Sequence, residues 1–214
     1  MAYNRDSALE LHKDYSENQK NWEMFIRSFN GGYDYTLGQY LNRYNLELDN
    51  EFNQRLANTP CDNHCKNIIQ IYSSFLFRER ASRDFGSMSE EPSLQPFLKD
   101  ADLEGNNFNT VMKTAQNYAS IYGHCFMILD KPNIQTATRA EELNQEIRPY
   151  VSIVTPENVF DWNFERQPNG KYILNYLKIR EEVDRKGGSY MRIWYPDKVD
   201  TIYVEDERTE PTLI

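Results

Sequence analysis

Five residues in two short stretches carry the side chains that metal or thiol chemistry uses. Cys61, His64 and Cys65 fall within "TPCDNHCK", and His124 adjoins Cys125 in "GHCFMILD". Zinc takes such donors when they converge tetrahedrally from two places. A redox pair usually has two residues between its cysteines at a helix start, where the thiol pKa is lowered. Cys61 and Cys65 are separated by three residues, and the pattern CxxHC is not one of the strong zinc spacings. Four positions make about one helical turn, and the same face then continues through Ile68, Tyr72 and Phe75. Cys125 alternates with Met127 and Leu129 as residues on one face of a strand do. The preferred reading is packing, with Cys61, Cys65 and Cys125 acting as small hydrophobes. His64 reads as a polar residue of the first helical turn, and His12 stands isolated.

Other chemistry is scarcer still. The nucleophile patterns GxSxG and SxxK and the metal pattern HExxH do not occur, and "NGGYDY" and "KGGSY" are glycine pairs rather than phosphate-cradling loops. Asp161, Glu165 and Lys178 suggest a nuclease-like carboxylate group, but spacing across a hairpin is generic and a solvated strand face explains them better. Arg78, Arg80 and Arg83 in "FRERASR" form a basic cluster at a helix end, where cations suit the dipole. They could also meet a nucleic-acid backbone or an acidic neighbour. No catalytic, cofactor-binding or metal-binding residue is assigned, and the chain is read as a non-enzyme.

The elements that would position these residues follow from periodicity and caps. Tyr15, Trp22, Phe25, Ile26 and Phe29 recur at helical spacing over 7–29, and "NGG" stops that helix. A tyrosine-rich connection follows, with a short helix expected at 49–58. Thr59, Pro60 and Asp62 resemble a helix start, so a helix is expected from 60 to about 79. Residues 84–105 read as loop with one short helical turn near Pro96–Ala101. A second long helix is expected over 107–122, ended by Gly123. "HCFMILD" has almost no polar interior and reads as a strand covered on both faces. Thr138 and Glu141 form a capping box opening a short helix.

From residue 148 the texture changes to strands: "RPYVSIV", "TPENVFDWNF", "KYILNYLKIREEV", "YMRIWY" and "VDTIYVED". The turns "QPNG", "DRKGGS" and "PDK" punctuate them. Helices first and an antiparallel meander afterwards make the class α+β. The expected organisation is a mainly helical part over 1–147 and a β part over 148–214.

The chain has 214 residues, 33 acids against 24 bases, and a formal charge of -9. Tight wrapping of nucleic acid needs clustered cations, so this balance opposes it, although a path along which DNA slides without sticking remains compatible. There is no run of about 18 apolar residues, as a membrane span would need. The start lacks the apolar core of a signal peptide, and three unspaced cysteines argue against a disulfide framework, so a reducing intracellular setting is expected. With 15 tyrosines in a chain lean in aliphatics, one reading is a protein whose burial is completed by neighbours.

The order of segments is more specific than any one motif. "YLNRYNLELDNEFNQRLANTPCDNHCKNIIQIYSSFLFRER", then "FLKDADLEGNNFNTVMKTAQNYASIYGHCFMILDKP", then "RPYVSIVTPENVFDW" resembles the N-terminal part of tailed-bacteriophage portal proteins. The matching positions are Asn67, Phe77 and Arg78; Asp102, Gly105 and Asn106; Gly123; Asp130 and Pro132; and Arg148, Pro149, Tyr150, Pro156, Glu157 and Trp162. The resemblance spans roughly residues 20–205 of this sequence. It implies a homo-oligomeric ring, usually dodecameric, at one capsid vertex, through which double-stranded DNA is packaged and ejected. It also implies the terminase, the major capsid protein and head-completion or tail adaptor proteins as partners. The implied location is the virion, with assembly in the host cytoplasm and no membrane contact.

Portal proteins continue into a stem, a clip and a crown. The sequence stops at "ERTEPTLI", where the meander would give way to the stem, so the resemblance implies the wing region of a longer chain. Channel-lining and motor-docking residues belong mostly to those further parts, and none is carried over. Tyr33, Tyr35, Tyr40 and Tyr44 are candidate lateral contacts, with ordinary surface packing as their plainer reading. The alternatives are another virion structural or assembly adaptor protein and, from a different class, a metal-dependent nuclease-like enzyme.

Overall fold

The computed structural model describes residues 10–38, 40–59, 62–132, 134, 138–183, 188–204 and 212–213. The class is α+β, with the helices in the first two thirds of the chain and all but one of the described antiparallel strands after them. Two compact units form. One joins the stretch up to residue 23 with the chain from 155 onward; the other is residues 24–154. Among the described residues no helix is long and apolar enough to cross a membrane.

The strand-rich unit is a meander of five strands in sequence order: β3 (Val159–Arg166), β4 (Tyr172–Val183), β5 (Ser189–Trp194), β6 (Val199–Val204) and β7 (Thr212–Leu213). The turn between β3 and β4 is the expected one, closed by the Gly170 amide donating to the Gln167 carbonyl at 2.8 Å. Gly170 sits at φ 82, which glycine adopts without steric cost. The "PDK" turn is likewise present, with the Tyr195 amide donating to Lys198 at 2.8 Å. Most of the expected "DRKGGS" turn lies outside the described residues. Side chains alternate across the sheet, so Met191, Ile193, Ile202 and Val204 share one covered face with Lys178, and Leu177 and Ile179 lie on the other with Trp162.

Helix α1 (Lys13–Asn30) begins in this unit and continues into the second. Residues 7–9 of the expected helix lie outside the described residues, and residues 10–12, read as helix, serve the sheet instead. The His12 amide donates to the Phe160 carbonyl at 2.8 Å, and the Lys178 ammonium donates to the Glu10 carbonyl at 2.6 Å. His12 also stacks on Trp162 with ring centroids 4.1 Å apart. Tyr15, buried on the first turn, donates its hydroxyl to the Glu157 carbonyl at 2.9 Å.

In the second unit α1 ends at Gly31, whose amide donates to Arg27 at 2.8 Å. The tyrosine-rich connection contains a short helix, α2 (Gly32–Leu37), not anticipated from the sequence. Helix α3 (Asp49–Asn58) is where the sequence placed it. Helix α4 (His64–Leu76) starts four residues later than expected. Thr59 closes α3 instead of opening α4, its hydroxyl donating to the Arg55 carbonyl at 2.6 Å. Asn63 is the true cap: its carboxamide oxygen accepts from the Lys66 amide at 2.9 Å, and its nitrogen donates to the Phe29 carbonyl at 2.6 Å. One side chain thus starts α4 and ties it to the end of α1.

A 3-10 turn (Gly86–Glu90) and helix α5 (Leu94–Lys99) structure the segment read as mostly loop. Helix α6 (Phe108–Tyr122) has the expected bounds, opened by Asn107 and closed by Gly123 at φ 87. Strand β1 (Phe126–Asp130) pairs antiparallel with β2 (Tyr150–Val154), so "RPYVSIV" leaves the meander and closes the helical unit. The short capped helix α7 (Arg139–Asn144) lies between them, with Thr138 accepting from the Glu141 amide. The core of this unit gathers Ala101, Val111 and Val151, with Phe97, Phe108 and Ile153 against them.

Two burial expectations fail. The stripe read as inward on α4 is exposed, with Cys65 in the open and Ile68, Tyr72 and Phe75 all more than half exposed. Helical periodicity marks a face but does not say that anything covers it. Strand β1 is not covered on both sides, since Met127 and Leu129 face outward. A two-stranded sheet with one helix against it has only one face to hide.

Candidate functional site

Among the described residues, those first suspected of metal chemistry form no metal-holding group. Cys61 lies outside the described residues. His64 and Cys65 sit exposed at the start of α4. Cys125 is half-buried and donates its thiol to the Ala115 carbonyl at 3.4 Å, while His124 stands edge-on to Phe126 at 5.4 Å. Burial pushes the Cys125 thiol up and the His124 imidazole down, so neither favours its charged form. Among the described residues no group of three His, Cys, Asp or Glu could hold a metal ion.

The nuclease-like trio is also divided. Asp161 and Lys178 are paired across β3 and β4 and both are buried, whereas Glu165 is exposed further along β3, opposite Ile173. Lys178 lies 3.9 Å from the Asp161 carboxylate, and Asp161 accepts a short hydrogen bond from the Tyr176 hydroxyl. Burial lowers the Lys178 pKa against the pull of Asp161, and burial together with the Asp161 carboxylate raises that of Tyr176. The Lys178 ammonium, bonded to the Glu10 carbonyl, therefore acts as a pin that fastens residues 10–12 to the sheet. Sequence spacing gave no sign of this contact because Glu10 lies 168 residues away.

Part of the ordered motif series meets in the helical unit, while Pro156, Glu157 and Trp162 belong to the strand-rich unit and Asn67, Phe77 and Arg78 to α4 and its end. Asp102 accepts from the Glu104 amide at 3.0 Å, the Asn106 amide at 3.1 Å and the Asn106 side chain at 2.7 Å. Gly105, at φ 91, donates its amide to Asp100 at 2.9 Å. This loop is tied to β2 by the Val151 amide donating to the Ala101 carbonyl at 2.8 Å. Arg148, almost fully buried, donates to the Asp100 carboxylate at 2.7 Å. Tyr150 donates to Asp130 at 2.9 Å. Asp102, Gly105, Asn106 and Arg148 thus brace the loop before α6 and the approach to β2, Asp130 and Tyr150 pair across β1 and β2, and Gly123 ends α6 ahead of β1. Asp100, the partner of Arg148, was not singled out from the sequence; an acid ahead of a glycine loop was its only signal.

The remaining candidates are surface groups. Arg83 is engaged, donating to Asn109 at 2.6 Å and lying over the Phe108 ring. Arg80 lines an open cleft of about 600 Å³ with Lys99 and Lys113, at the start of α6. Of the tyrosines, Tyr33 and Tyr44 are well exposed, while Tyr35 and Tyr40 pack together at 5.2 Å. A further exposed feature is α4 itself: Ile68, Ile71, Tyr72, Phe75 and Leu76 are between 53% and 68% exposed. Only Ser73 on this helix is buried, so α4 meets α6 along a narrow line and leaves the rest open. No family model matches the chain, and no curated protein matches it.

Proposed function

We propose that this chain is the wing region of a tailed-bacteriophage portal protein. In this reading it is a structural subunit, without a reaction of its own, that closes with copies of itself into a ring at the capsid vertex. DNA passes through the ring during packaging and ejection, and the terminase, the major capsid protein and head-completion or tail proteins meet it there. The observation that carries the reading is the use made of the ordered motif residues. Asp102 and Asn106 bond each other and backbone, Arg148 bonds Asp100, and Tyr150 bonds Asp130, so these polar groups brace the loop and the strands even where Asp102 and Asn106 border a cleft of about 420 Å³ beside Val151 and Ser152. A building part uses its distinctive residues in that way; an enzyme aims several of them at a substrate.

Two further features support it. An acidic chain suits a conduit that DNA must leave again, since few phosphate contacts means weak, easily broken binding. A helix whose apolar face is open suits a subunit whose burial is completed by neighbours. Electron microscopy of the purified protein tests the reading through ring closure. The enzyme alternative is tested separately by assaying DNA cleavage with magnesium or manganese and measuring bound zinc. Cleavage lost in D161N, or stoichiometric zinc in a stable monomer, would overturn the proposal.

A further inference from the structure

We infer that the open face of α4 is the surface by which one copy of this chain grips the next. The inference rests on the ring reading for the identity of the neighbour, but it names a surface that the reading does not specify. Two aromatic and three branched aliphatic side chains at this exposure present on the order of 500 Å² of apolar surface. That is at the upper end of what a lone soluble domain shows, and a large part of the about 800 Å² that each partner contributes to a standard interface. A shallow groove of about 580 Å³ runs along this face, lined by Asn67, Gln70, Ile71, Ser74, Phe75 and Arg78. Its walls come from a single helix and the Arg78 just beyond it, so nothing in the unit closes it.

Charge selects the occupant. Helix α4 carries no acid, in a chain with a formal charge of -9. Arg78 follows its C-terminal end, and Arg80, Lys99 and Lys113 line the cleft beside it, with Glu79 as the one acid there. Elsewhere cations are commonly paired: Arg43 with Asp49, Arg55 with Glu47, Lys131 with Glu142, Arg139 with Glu91 and Arg148 with Asp100. Among the described residues Arg78, Arg80, Lys99 and Lys113 have no such carboxylate. An apolar stripe with a cationic end fits a partner that is apolar at the centre and acidic at the rim, and a second copy of this acidic chain offers that balance. Such a contact is heterologous, one face against a different one, and repeats into a ring where the rotation closes.

The test compares the wild-type protein with I71D/F75E and with the charge reversal R80E/K99E/K113E, by mass photometry and electron microscopy. All five positions are outside the core, so unchanged circular dichroism and melting are expected. Aspartate and glutamate in the centre of the interface should weaken assembly at least about 100-fold. The charge reversal should weaken it less, by a factor that shrinks as salt rises from about 0.15 M to about 1 M. Cys65 is a native probe. In a C61S/C125S background it should react with a maleimide about tenfold more slowly in the assembled protein than in one also carrying I71D/F75E. Closed rings that survive I71D/F75E, with Cys65 labelled at the monomer rate, would overturn this inference and leave the ring reading standing. Two-fold dimers broken by I71D/F75E would uphold α4 as a contact surface but contradict both the heterologous pairing and the ring. A wild-type protein that stays monomeric at micromolar concentration would contradict both.

Discussion

At the residue scale the polar side chains of this protein are used as fasteners. Lys178 is the clearest case, a buried cation held between the Asp161 carboxylate and the Glu10 carbonyl. Removing one partner of a buried pair strands the other, so K178A should lower stability by about 3 kcal/mol, read from the urea midpoint. In K178M/D161N both charges are gone, and the loss should be smaller than the sum of the two single losses. An additive result would show that the two residues act independently. Glu47 gives a pH prediction. Hydrogen bonds from Arg55 at 2.8 Å, with help from the Tyr44 amide, bring its pKa from 4.5 to about 2. A depressed carboxylate contributes stability above its unfolded value and loses that contribution as pH falls through the folded value. The carboxyl carbon of Glu47, followed by NMR, should titrate near pH 2. A midpoint near 4.5 would mean that the Arg55 contact does not persist in solution.

At the element scale the sequence was informative wherever local rules acted alone. Helix α6 was legible because Asn107 and Gly123 bracket a clear apolar stripe. The β3–β4 and β5–β6 hairpins were legible from their turn residues. The start of α4 was misread because Thr59 and Pro60 look like a cap, while the working cap, Asn63, is chosen by its reach to Phe29. Residues 10–12 were misread as helix because Phe160 and Lys178, far along the chain, take them up. The α4–α1 tie can be tested through two adjacent glycines with left-handed φ, 69 at Gly31 and 58 at Gly32. A Cβ at Gly31 would come within 2.5 Å of the Asn63 nitrogen, whereas one at Gly32 would meet nothing within 4 Å. Both G31A and G32A carry a conformational cost of about 1 kcal/mol or more, and G31A should cost at least about 1 kcal/mol beyond G32A, because φ 69 with ψ -167 is a region left to glycine and because Asn63 must move. Equal losses would mean that neither the Gly31 conformation nor the close approach of Asn63 is held in solution.

At the scale of the whole molecule, the α+β class was legible from the order of helical and strand patterns. The division into units was less so, because the first 23 residues group with the strands. The candidate site was legible only as a series: each of Asp102, Asn106, Arg148 and Tyr150 is unremarkable by type, and their bonding within the helical unit needs the fold. The α4 stripe shows the limit of periodicity in the other direction. Its spacing is that of a core helix, yet its side chains are open. Periodicity and exposure agree if the missing half of the core belongs to another molecule, which is what a ring subunit requires. Electron microscopy of the purified protein tests this most directly. Class averages of closed rings, of one subunit number and with a central channel, are the predicted result. Monodisperse single particles, or dimers with two-fold symmetry and no channel, would contradict it.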